Sequence, residues 1–413
     1  VLVNFILLEY TRFHRNTTKG IPLIRYLTAG ESHGKALVGI VEGVPAGVPI
    51  NAEYIDHQLW RRQQGYGRGG RMRIESDHVE ILSGIRFGKT MGTPIALMIR
   101  NADWANWSDR MAVGGDGTSV EKVTIPRPGH VDYAGSVKYG LADIRNVIER
   151  GSARETAMRV ACCTIVRKFL EEMGIFIGSH VLSIGSVAVE NRSAIDKFLA
   201  RVMKASCGAY KITEQADRSE VRILDAAVSA RAMNLIKGTK KKGDTLGGVA
   251  EILVSGAPVG LGSHVQHDRK LDGQLAQALM SIQAVKGVEI GAGFAHARAY
   301  GSEVHDEFVL RQGIIGRSTN RAGGLEGGVT NGETIVLHAA MKPISTLSRP
   351  LNSVDLKTQR RVKARYERSD VCAVPAFSVV AEAVIAPVLA NAFLEKFGGD
   401  SLDEARKRYK GRK

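Results

Sequence analysis

The chain has 413 residues, 44% of them hydrophobic, and a formal net charge of +15. This is ample for a packed core, as one large domain or two ordinary ones, and it excludes a disordered chain. The charge favours anionic partners (nucleic acid, acidic membrane or phosphorylated small molecules), while no apolar run approaches the roughly 20 residues of a membrane helix, so no membrane partner is expected.

Residues 1–24 read as an ill-defined N-terminal extension. Positions 1–8 are apolar, and Arg12, His14, Arg15 and Lys19 follow. That order is the reverse of a secretory signal, and an organelle transit peptide has poor support. The fold is expected to begin near Ile24. Residues 25–28 and 36–42 read as strands. Between them lies Gly30-Glu31-Ser32-His33-Gly34. Flanking glycines let the backbone turn sharply and approach a ligand, and a histidine exchanges a proton near neutral pH. A structural histidine in a tight turn is the competing reading.

A helix is expected over 53–63, with Asn51 as its N-cap. Arg61, Arg62, Arg68, Arg71 and Arg73 then interleave with Gly65, Gly67, Gly69 and Gly70. Unpaired charges cannot be buried, so this stretch is expected as a solvated loop or a lid over a polyanionic ligand. Its glycines follow a helix rather than a strand, which rejects a dinucleotide fingerprint. Residues 79–85 and 93–100 read as paired strands around a glycine-rich turn. The turn at 84–90 resembles a nucleotide P-loop, but is one residue short and lacks the following helix.

In Pro126-Arg127-Pro128-Gly129-His130-Val131-Asp132, two prolines stiffen a loop that presents Arg127 and His130. Asp132 is a candidate to orient the histidine ring, a contact the sequence alone does not establish. Next comes Arg150-Gly151-Ser152-Ala153-Arg154-Glu155-Thr156. A helix is expected over 152–173, opened by a capping box and ended by Gly174. Its exposed N–H groups and the forked donors of Arg150 and Arg154 make an anion site. The competing reading is a cap whose arginines pair with nearby acids. Cys162, Cys163, Cys207 and Cys372 form no C-x-x-C pair and read as buried free thiols in a reducing compartment.

Further helices are expected over 225–237, 271–285 and 376–397, and strands over 249–254 and 334–340. The stretch at 30–34 is echoed by Gly243-Asp244-Thr245-Leu246-Gly247. At the same offset Gly43, Pro45 and Gly47 match Gly256, Pro258 and Gly260, and 79–81 is echoed by 288–290. Two related halves packed about a pseudo-two-fold axis follow from this. His33 is leucine in the second copy, so the glycines serve folding and the histidine is the better functional candidate. His264, His267 and Asp268 resemble a metal cluster but lack a further ligand, so no metal is expected. Lys342-Pro343-Ile344-Ser345-Thr346 offers a cation and two hydroxyls on a stiff support. Arg368 and Asp370 stand just before a proline-started helix, where a surface bridge is the competing reading. Only 406–413 looks like a basic tail, and it reads as the solvated end of a surface helix.

Taken in order, the blocks at 30–34, 127–132, 150–156, 281–291, 322–328 and 368–375 resemble the chorismate synthase family, over about 25–397. That resemblance implies an α+β fold, a single large domain built as a β-α-β sandwich, with 1–24 as extension and 398–413 as basic tail. It implies a cytoplasmic homotetramer that converts 5-enolpyruvylshikimate 3-phosphate to chorismate by 1,4-elimination. Reduced FMN is required without net redox change, lending an electron and recovering it. An external flavin reductant is implied, with NADPH as a possible indirect source.

By the same resemblance His33 would protonate the departing phosphate or its surroundings, and His130 the reduced flavin. Asp370, with Ser32, would move a proton near flavin N5. Arg62, Arg68, Arg127 and Arg154 would clamp substrate or NADP. FMN would be held by Arg150, Gly151, Ser152, Gln283, Ala284, Gly327, Lys342, Pro343, Ile344, Ser345, Thr346 and Arg368. Such packed anions demand fixed cations, which accounts for the charge without nucleic acid. The rivals are a flavin reductase, which lacks a dinucleotide motif, and an RNA-binding protein. For the latter only Trp60 and Tyr66 stand near the arginines as stacking residues.

Overall fold

The computed structural model describes residues 24–69, 76–190, 192–205, 207–311, 313–367 and 369–411. The expected N-terminal extension lies outside the described residues, except for Ile24. That residue belongs to the fold: it is buried, and its N–H donates to Asn391 Oδ1 at 2.7 Å.

The first half runs β1 (Arg25–Ala29), β2 (Ala36–Glu42), α1 (Ala52–Gln63), β3 (Val79–Ile81) and β4 (Ile95–Arg100). Its antiparallel sheet has the order β1-β2-β4-β3. Leu37, Val41, Ile95, Leu97 and Ile99 point inward, at the period of two that a one-sided sheet requires. Asn51 caps α1 by accepting from the Tyr54 N–H at 3.0 Å. Next come α2 (Asp132–Tyr139), α3 (Arg145–Gly151) and α4 (Thr156–Glu172). The expected capping box at the start of α4 is not formed. Ser152 accepts from Arg154 N across a short 3-10 turn, and the Glu155 carboxylate turns away to bond Thr28 and Gln283.

The second half holds β5 (Phe176–Ile184), β6 (Val187–Ala188), α5 (Ser193–Val202), α6 (Gly208–Ala216) and α7 (Ala226–Lys242). It continues with β7 (Gly248–Ser255), α8 (Leu271–Met280), β8 (Val285–Ile290), β9 (Ile335–Met341), α9 (Val374–Phe397) and α10 (Leu402–Lys410). The helix expected over 271–285 stops early because Val285 already pairs with Met341 in the sheet.

The second sheet has the order β8-β9-β7-β5-β6. Its first four strands repeat the arrangement of the first sheet, with β5, β7, β8 and β9 standing for β1, β2, β3 and β4. The repeat extends to single bonds. Thr90 Oγ1 donates to Pro45 O and accepts from Val48 N, while Thr330 Oγ1 donates to Pro258 O and accepts from Leu261 N. The copies differ in the segment 185–247, inserted between β5 and β7. Consequently Gly30 turns between two strands, at φ +102°, whereas Gly243 terminates α7, at φ +71°.

Helices α4 and α9 cross between the two sheets, with α1 and α8 beside them, so the core is a β-α-β sandwich. Helix α9 corrects one expectation from the sequence. Its hydropathy is 1.9 over an 18-residue window, and by length and composition alone it could cross a membrane. It is instead the central core helix, with 89% of that window buried. The stretch expected as a basic tail includes α10, which docks on the body. Leu402 and Ala405 are buried, and Tyr409 packs edge-on against Phe393 and Phe397. Among the cysteines expected to be buried, Cys162, Cys163 and Cys372 are, but Cys207 is half-exposed.

Candidate active site

The turn after β1 is pinned by α3. Ser32 N donates to Glu149 O at 3.1 Å, and His33 N donates to Glu149 Oε2 at 2.8 Å. Gly30 is required here, because a Cβ would stand 2.4 Å from Ala36 O. The His33 ring stacks on Trp107 at 3.9 Å. Its Nδ1 lies 3.0 Å from Glu149 Oε1, and Arg145 Nη1 donates to the same oxygen at 3.2 Å. Burial alone would raise the Glu149 carboxyl, but the His33 bonds and the Arg145 charge outweigh it and hold the group below its ordinary value.

The second histidine is built the same way. His130 Nδ1 meets Asp132 Oδ1 at 2.5 Å, a contact for which Asp132 was only a candidate in the sequence. Arg127, expected to clamp substrate, turns inward. Its donors bond Asp132 and Thr346 Oγ1, and Nη2 lies 3.1 Å from the His130 ring. Burial would raise the Asp132 carboxyl, but the hydrogen bonds from His130 and Arg127 pull it far below the usual range. A carboxylate only accepts, so Nδ1 carries the proton in both dyads and Nε2 is the atom that can exchange one.

The arginines divide into two sets. Arg61, expected in a solvated loop, ends α1 buried and paired with Glu382 and Asp217. Arg62 is also buried, against Thr156, Ala153 and Asp77. Arg61 was misread because the acids that pair it, Asp217 and Glu382, come from far along the chain. Arg154 Nη1 meets Asp77 Oδ1 at 2.5 Å, and Arg68 Nη1 meets Asp370 Oδ2 at 2.5 Å. Burial pushes the Arg62 guanidinium down to about 10, and the Arg68 and Arg154 charges add to this against Asp77 and Asp370. Residues Arg71 and Arg73 lie outside the described residues, as does Arg368.

These parts close into a ring of contacts. From His33 and Glu149 the chain continues through Arg150, which bonds Gly30 O and Thr28, to Gly151, where a Cβ would reach His130 Cε1 at 3.5 Å. His130 leads through Arg127 to Thr346, and Ser369 Oγ donates to Thr346 O beside Asp370. Arg68, Arg62 and Arg154 follow, and Asn101 joins Arg154 back to Gly34 O. Lys342 reaches Gly129 O at 3.1 Å, and its backbone N–H donates to Ala284 O. Thr245 Oγ1 supports the Ile344 carbonyl at 2.6 Å. A groove of about 670 Å³ opens beside the segment after Thr346, lined by Lys241, Lys242, Arg349 and Lys363.

Gly327 is not brought into the ring. It sits in the hairpin that precedes β9, whereas Lys342 follows that strand. The length of a seven-residue strand, roughly 20 Å, separates the two ends. Glu149, Trp107, Arg145, Asp77 and Asn101 were not anticipated. Only Glu149 had a signal, as an acid directly beside Arg150.

A sequence model of the chorismate synthase family matches residues 24–394. The chorismate synthase of Chlorobium luteolum is 58% identical over 388 residues, 94% of this chain and 96% of the relative. That of Chlorobaculum tepidum is 56% identical over the same shares. A crystal structure of chorismate synthase superposes with a TM-score of 0.74 at 44% identity, covering 94% of this chain and 97% of that one.

Proposed function

The chain belongs to the chorismate synthase family, and from that premise we propose that it is a lyase of the shikimate pathway, eliminating phosphate from 5-enolpyruvylshikimate 3-phosphate with reduced FMN and no net redox change. The observation that carries the reading is the crowding of Arg62, Arg68 and Arg154 between the two histidine dyads. Burial, with the charges of Arg68 and Arg154, lowers the Arg62 guanidinium, and a bound polyanion would offset this. The substrate offers a phosphate and two carboxylates.

The residues fit FMN. Gln283 Oε1 is buried without a hydrogen-bond partner, and a flavin ring N–H can supply one. Burial and the Lys286 charge depress the Lys342 ammonium, which a phosphate would reverse. Lys342, Ser345 and Thr346 would hold FMN together with Gln283, Ala284 and the Arg150-Gly151-Ser152 stretch. When bound, reduced FMN would supply an electron that eases loss of phosphate and is recovered. NADPH or another external donor would reduce it.

The protein's own residues hold charge and protons. His33 would deliver a proton at Nε2 to the departing phosphate. His130, next to Gly151, would hold one on the FMN side. Asp370, fixed by Arg68 and by the Gly69 N–H at 2.6 Å, would accept one, with the buried Ser32 hydroxyl near the first dyad. Anaerobic mixing with FMN, dithionite and 5-enolpyruvylshikimate 3-phosphate should release phosphate together with chorismate absorbance. Folded protein that releases neither would rule the reading out.

A homotetramer is part of the same proposal. The outer face of the first sheet exposes Leu27, Val38, Ile40 and Leu82, and the hairpin at 308–317 exposes Phe308, Leu310, Ile314 and Ile315. The equivalent face of the second sheet is covered by α5 and α6, which bury Leu253. Two separate apolar patches suit the two distinct interfaces of a dihedral tetramer. Light scattering should give four times 44.6 kDa, and a monomer mass at working concentration would refute it.

A further inference from the structure

We propose that Glu149 is a positioning residue for His33, fixing its tautomer and ring plane together with Trp107 and Arg145. The inference rests on the role given to His33 above and extends it to three residues outside that assignment.

Glu149 holds His33 at two points. One carboxylate oxygen accepts from the backbone N–H at 2.8 Å, and both lie 3.0 and 3.1 Å from ring Nδ1. The carboxylate is fully buried, so water does not compete for these bonds. With Nδ1–H donating, the proton that His33 exchanges is confined to Nε2. Trp107 covers the ring face with an interplanar angle of 20°, which leaves the imidazole little freedom to rotate. Arg145 fixes both supports. Its guanidinium lies 5.2 Å from the Trp107 ring, donates to Glu149 and pairs with Glu367 at 3.1 Å. A side chain held this way needs no reorganisation before proton transfer.

The arrangement matches the second dyad, where Asp132 holds His130 Nδ1 and Arg127 holds Asp132. In both, an arginine braces a buried carboxylate that braces a histidine.

A double-mutant cycle separates positioning from general structural support. Glu149→Gln keeps the shape but has one acceptor oxygen in place of two, so its NH2 group must face a donor, either the His33 backbone N–H or the Arg145 guanidinium with Nδ1–H. In the full-length enzyme, kcat should fall by about 10²-fold with KM for 5-enolpyruvylshikimate 3-phosphate changed by less than about threefold. In the His33→Ala background the same substitution should cost nothing further. A loss of equal size in both backgrounds would show that Glu149 does not act through His33, and so would full activity of Glu149→Gln. Trp107→Ala gives the same cycle without touching the buried ion pair, and serves if Glu149→Gln fails to fold. An active His33→Ala variant would instead remove the role of His33 on which the inference rests.

Discussion

Replacing His33 or His130 by alanine should each lower turnover by about 10²-fold or more, while the folded variant still binds FMN. Each histidine presents one exchangeable nitrogen because a buried carboxylate holds the other. Alanine removes the proton carrier and leaves Glu149 or Asp132 without its ring partner. The residues proposed to hold FMN, from Arg150–Ser152, Gln283–Ala284 and Lys342–Thr346, do not include either histidine, so binding should survive. Single-turnover phosphate release under anaerobic conditions reads the first effect, and flavin fluorescence titration reads the second. Wild-type turnover in either variant would remove that histidine from the chemistry.

Replacing Glu382 by alanine should cost the fold about 3–5 kcal/mol. Glu382 is the acid at the middle of α9, where the two sheets and their helices meet. It accepts from Arg61 Nη1 at 2.8 Å, Arg167 Nη1 at 2.7 Å, Arg222 Nη2 at 3.0 Å and Ser179 Oγ at 2.6 Å. Alanine would leave three buried guanidiniums facing one another. The denaturant midpoint at fixed protein concentration measures the loss, and an unchanged midpoint would refute the central role given to this carboxylate.

The pH dependence has a definite sign. Burial would raise the Glu382 carboxyl, but the charges of Arg61, Arg167 and Arg222 reverse this and hold it far below its unfolded value. Its contribution is therefore fully present above the unfolded carboxyl pKa of about 4.3, and is lost as pH falls through the lower folded value.

Arg61 shows why the arginine excess was only partly readable. It stands in the last turn of α1 just before a glycine-rich stretch, and the acids nearest it in sequence, Glu53 and Asp56, are not its partners, so a loop over an anionic ligand was a reasonable expectation. Its partner stands 321 residues away. Arg167 and Arg222 were not singled out at all, and they complete the same cluster. So part of the net positive charge lies in the core, and part faces the proposed ligand through Arg62, Arg68 and Arg154. Arg127 divides similarly: its motif was visible, but its donors turn inward to hold a histidine dyad.

For His130 the sequence offered Asp132, two residues on, as a candidate to orient the ring, and the structure forms that contact at the start of α2. His33 and Glu149 are 116 residues apart, and no local pattern joins them. Glu149 was passed over although its neighbours at 150–156 were read as an anion site.

By itself the sequence determined several of the elements and their duplication. Alternating apolar residues made β2, β7 and β9 recognisable, and glycines and prolines at matching offsets exposed the two halves. These signals are local, set by backbone sterics and by side-chain periodicity. Only the tertiary structure decided which charge faces which. Closing the sandwich drew Glu382 into three arginines, set Glu149 behind His33, and left Gly327 at the far end of β9. Such pairings depend on burial and on distances across the whole chain, because a buried charge is held by whatever partner the fold brings within reach.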